Sequence, residues 1–89
     1  MIHSGQKAVA TAGSAEQVDT DNSVRDYFVR ADPGNTGVIY LGGDDVSSTT
    51  GLILKADDPP IRLRGKLSQL FVDVETSGEK VTWMAVSIE

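Results

Sequence analysis

The chain has 89 residues, no cysteine, one histidine and a formal net charge of −5 from 13 acidic and 8 basic residues. That excludes disulfides and cysteine-held zinc, leaves a Ser-His-Asp triad or a histidine metal core only His3 to draw on, and sets the chain against nucleic acid, which wants a net basic face. A domain this small folds on a thin margin, by packing alone or with the help of other subunits; size favours the subunits.

The first residues, Met1 to Gln6, read as a flexible N-terminal arm, with residues 7–89 as a single β domain. They lack the basic start and apolar run of a signal peptide, and no segment approaches a membrane span, so a product made soluble in a cytoplasm is expected. Lys7–Ala12 reads as a first strand. Val24–Ala31 follows, rich in β-branched and aromatic residues. Tyr27 and Phe28 are neighbours there, so they must point to opposite faces. Short apolar runs follow at Val38–Leu41 and Gly51–Lys55. Ile61–Arg64 alternates, with Ile61 and Leu63 inward and both arginines outward. A helical turn is expected over Lys66–Gln69. Leu70–Glu75 alternates again, with Leu70, Val72 and Val74 on one face. Val81–Ile88 is apolar on both faces: Val81, Trp83 and Ala85 on one, Met84, Val86 and Ile88 on the other.

Turn signals separate these runs at Gly13-Ser14, Asp32-Pro33-Gly34-Asn35, Gly42-Gly43-Asp44-Asp45, Asp57-Asp58-Pro59-Pro60 and Ser77-Gly78. Glycine supplies positive φ, proline fixes φ, and Asp or Asn closes local turns. The spacing predicts an all-β chain: a small antiparallel β-sandwich or barrel of about seven short strands. The last two strands flank Thr76–Glu79, which predicts a hairpin.

Few residues suggest chemistry. Asp19-Thr20-Asp21-Asn22 has alternating oxygens of the kind calcium takes but lacks the rest of an EF-hand loop, so a solvated turn is the expectation. Asp44-Asp45 and Asp57-Asp58 are side by side on turns rather than across a cleft, which suits turn formation and not acid–base work. The glycines between Gly34 and Gly43 do not match a phosphate loop. No catalytic, cofactor or metal residue is expected, and an enzyme is the least favoured class.

Interaction residues are expected instead. Arg62, Arg64 and Lys66 share one exposed strand face. They can meet an acidic partner subunit, pair with Asp73 and Glu75 on a neighbouring strand, or guard a sheet edge. A strand apolar on both faces needs a cover, which is a hint of a subunit interface. Ile2, His3 and Ser4 are the arm residues expected to order on a partner.

The wording of three segments resembles a group of short structural proteins of tailed phages: Ser4–Ala15, Ala31–Gly51, and Leu67–Val74 with Ser77–Trp83. The block from Asn35 to Gly51 is the most specific. The resemblance implies a β-rich virion component and carries over no catalytic residue. Pro59–Arg64 departs from the group, whose members tend to be more acidic there, so partner choice is expected to differ. The leading expectation is a capsid decoration (cement) protein in the virion. Its partners would be its own copies, with a trimer favoured, and the major capsid protein or another virion protein. The alternatives are a tail, connector or fibre-attachment component and, from another class, a small carbohydrate- or ligand-binding β module. No cofactor, nucleic acid or membrane is expected as a partner.

Overall fold

The computed structural model describes residues 2–87 and is a sandwich of two four-stranded antiparallel sheets. The strands are β1 (Ile2–Ala8), β2 (Glu16–Gln17), β3 (Val24–Ala31), β4 (Ile39–Gly42), β5 (Leu52–Leu54), β6 (Ile61–Lys66), β7 (Phe71–Val74) and β8 (Lys80–Ser87), with one 3-10 turn at Leu67–Gln69. The front sheet runs β1-β8-β3-β6 and the back sheet β2-β7-β4-β5.

This order has a simple origin. β4 and β5 form the tip of one long antiparallel hairpin, and β3–β6, β2–β7 and β1–β8 are its successive rungs. Rolling that hairpin brings β8 against β3 and β7 against β4, which completes both sheets. The result is the strand order of a jelly roll. Four connections (residues 9–15, 32–38, 55–60 and 75–79) gather at one end of the sandwich and three at the other.

The core fills the space between the sheets. Tyr27, Val29, Ala31, Val81 and Ala85 come from the front sheet, and Ile39, Leu41, Leu54, Val72 and Val74 from the back. Val9, Val18, Leu67 and Leu70 close the ends. Each full burial of such a side chain stabilises by about 1.5–3 kcal/mol, which is how a chain without disulfides holds two sheets together. The outer side of the back sheet is covered over β7 and β4 and open at the edge strand β5, where Ile53 is exposed. Tyr40 and Asp73 face outward there, yet both are buried. Asp73 Oδ1 accepts the amide of Gly13 at 2.9 Å and that of Val74 at 2.8 Å, which pins the 9–15 loop across the sheet.

Several expectations are corrected. The boundary drawn between an arm and a domain falls inside β1: residues 2–6 are a paired strand, and Met1 lies outside the described residues. Ser4, Gly5 and Gln6 lack an apolar pattern because β1 is an edge strand with no buried residue. Its main chain pairs with β8, and Gly5 lies beneath the Trp83 indole, where a Cβ would approach Cζ2 to 2.8 Å. The strand expected at Lys7–Ala12 therefore ends at Ala8. The last two strands form no hairpin: β7 pairs with β2 and β4, β8 with β1 and β3. The Thr76–Glu79 turn crosses between sheets, held where Gly78 N donates to Val9 O at 2.7 Å and by Glu79.

Candidate functional site

The outer face of the front sheet is where the expected interaction residues meet. Strand alternation and register set its rows. Ile2 on β1 lies beside Val86, then Asp26, then Arg64. Ser4 lies beside Met84, Phe28 and Arg62. Gln6 lies beside Thr82 and Arg30, and Val24 lies opposite Lys66. The centre is apolar and open to solvent: Phe28 is 38% exposed, Met84 41%, Val24 48% and Ile2 64%.

Charge is segregated onto this face. Five of the chain's eight basic residues sit at its outward positions, namely Arg30, Arg62, Arg64, Lys66 and Lys80. Asp26 is the one acidic residue at such a position among the described strands. An acidic protein thus carries a net positive sheet. Asp26 lies 3.5 Å from Arg62 Nη2 and 3.7 Å from Arg64 Nε, too long for good hydrogen bonds, so both guanidinium groups keep free donors. Asp73 and Glu75, the pairing partners weighed from sequence, lie on the other sheet or beyond its end.

A shallow cleft of about 240 Å³ opens on this face between Phe28, Pro60, Thr82 and Met84, with Arg30 and Trp83 completing the lining. Arg30 Nη2 donates to Ala56 O at 3.3 Å, while its Nε is buried without a partner. A buried donor left unpaired costs about 1–3 kcal/mol.

Of the expected residues, Ile2 and Ser4 lie outward on one edge strand, and Arg62, Arg64 and Lys66 outward on the other edge strand of the same sheet. His3 does not join them. It pairs with Ala85 and points to the inner side, half-buried. Sequence reasoning missed Arg30 and Lys80. It noted that Phe28, Met84 and Val86 make their strands apolar on both faces without placing them on one surface; Ile88 lies outside the described residues.

The other polar clusters are structural. Asp21 forms a 2.6 Å ion pair with Arg25. The Ser23 amide and then Arg25 hold its carboxyl below the usual range. Among the described residues no three His, Cys, Asp or Glu side chains gather as metal ligands. Asp58 Oδ2 accepts the Lys55 amide at 2.8 Å, which closes the turn before Pro59. Glu79 is buried at the loop end. Burial opposes its ionisation, but hydrogen bonds from the Thr36 amide, the Gly37 amide and the Thr36 hydroxyl outweigh that and hold its carboxyl below the usual range.

Comparisons with family models, with curated proteins and with solved structures gave no match to this chain.

Proposed function

We propose that the chain is a non-enzymatic structural protein of a phage virion, a decoration protein that docks on the outside of the shell and stabilises it. The observation that carries this reading is the outer front face, where exposed Phe28 and Met84 are flanked by cations, on a molecule whose other sheet has Tyr40 and Asp73 buried on its outer side and Ile53 open at its edge strand. An exposed apolar patch rimmed by polar groups marks an interaction site. The jelly-roll order supports the reading by analogy, since viral capsid domains use it, although lectins and cupins use it too. The resemblance of Asn35–Gly51 to short virion proteins points the same way. Association of copies, with a trimer favoured, fits a small domain placed at the local threefold positions of a shell.

Addition of the purified protein to shells lacking it tests the reading. Saturable binding at a simple fraction of the shell subunits, with a raised temperature of shell disruption, is the expected result. Binding confined to tails or connectors would assign the chain to those structures. Glycan binding without shell binding would replace the virion reading by a carbohydrate-binding module.

A further inference from the structure

The cations of the front face have a geometry of their own. Arg62 and Arg64 are alternate residues of an edge strand, so they project about 7 Å apart on one side. That is the spacing of alternate side chains in a second extended chain. Arg30 stands on the neighbouring strand with an unpaired Nε, beside a cleft with apolar walls at Phe28, Pro60 and Met84. The rest of the chain carries twelve acidic and three basic residues, so the positive charge is not a general property of the surface.

We infer that the outer face of the front sheet receives an extended acidic segment of a partner protein, with one apolar side chain seated between Phe28, Pro60 and Met84 and its carboxylates on Arg30, Arg62 and Arg64. A guanidinium binds a carboxylate through two parallel hydrogen bonds, and Arg62 and Arg64 now share only one distant carboxylate between them. Removing water from the apolar centre strengthens those pairs. A nucleic-acid backbone matches the charge but not the apolar centre, and the acidic remainder of the chain repels it. A second copy docking by the same face would set like charges against each other. The inference deepens the docking role proposed above by naming the partner's chemistry, and the contact itself is measurable on the isolated protein.

The probe is a short capped peptide with three glutamates and one leucine at alternate positions and serine between them, so that all four side chains share one face of an extended chain, titrated into isotope-labelled protein and followed by amide chemical shifts. Shifts confined to β3, β6 and β8 are expected, with binding that weakens as salt rises. The glutamine–leucine counterpart should bind at least about tenfold more weakly, as should the double variant Arg62→Glu, Arg64→Glu. Arg30→Met, which keeps the aliphatic stem, should weaken the glutamate peptide while leaving the glutamine peptide unchanged. Absence of shifts, equal binding of the two peptides, equal binding by the double variant, or shifts elsewhere would overturn the inference. So would displacement of the peptide by an equal concentration of a DNA duplex, or salt-sensitive self-association through these residues in place of peptide binding. Peptide binding by a protein absent from virions would leave this contact standing and remove the virion reading; virion residence without peptide binding would do the reverse.

Discussion

A leucine in place of Gly5 detaches β1 from the front sheet. Any Cβ at this position meets the Trp83 ring, 2.8 Å from Cζ2 and 3.0 Å from Cε2, and the ring is partly buried against the core. β1 has little else to keep it in place, since none of its residues is buried and its hold is main-chain pairing with β8 plus the 3.0 Å Lys7–Glu16 ion pair. Overpacking of this kind costs about 1–3 kcal/mol. In a domain of this size that lowers Tm by about 4–24 °C. Trp83 is the only tryptophan, so its emission reports the change directly. A red shift together with faster amide exchange over residues 2–8 is expected. Wild-type emission and Tm would contradict the packing of β1 under the indole. Because Ile2 and Ser4 lie on the outer face of the front sheet, the same variant should also lose part of that face.

Glu79→Gln should cost about 2–3 kcal/mol and lower Tm by about 8–24 °C, because it unlatches two of the four loops at one end of the sandwich. The carboxylate accepts the Gly37 amide at 2.9 Å, the Thr36 hydroxyl at 3.0 Å and the Thr36 amide. An amide side chain offers one oxygen where two are used and sets an N–H against a donor. The pH dependence follows from the lowered carboxyl. The unfolded state binds the proton more readily, so the carboxylate's contribution is complete above the ordinary glutamate range near pH 4.5 and is lost as pH falls through the lower folded value. Thermal melts from pH 6 downward should show the wild type losing stability over that window and Glu79→Gln losing less. Parallel curves would contradict the latch.

The parts legible in the sequence were those written in strand alternation. Ile61 and Leu63 inward against Arg62 and Arg64 outward, and Leu70, Val72 and Val74 on one face, stand as read. Tyr27 is buried and Phe28 exposed, as neighbours on a strand require. β1 was not legible, because an edge strand held by its main chain and by a tryptophan over glycine leaves no apolar period. The missing hairpin has a similar cause. Thr76–Glu79 reads as a local turn, whereas its partners Val9, Thr36 and Gly37 are distant in sequence. The outer face of the front sheet was half legible. The arginines and the two-faced apolar strands were visible, but only the pairing of β8 with β3 and of β3 with β6 places Met84, Phe28 and Arg62 in one row.

The copy number of the protein in purified virions tests the central claim most directly, by quantitative mass spectrometry against the major shell protein. One copy per shell subunit, or a simple symmetric fraction of it, is the expected ratio for a decoration protein. A handful of copies per particle would contradict the decoration role and place the chain at the tail, connector or vertex, and complete absence would contradict residence in the virion altogether.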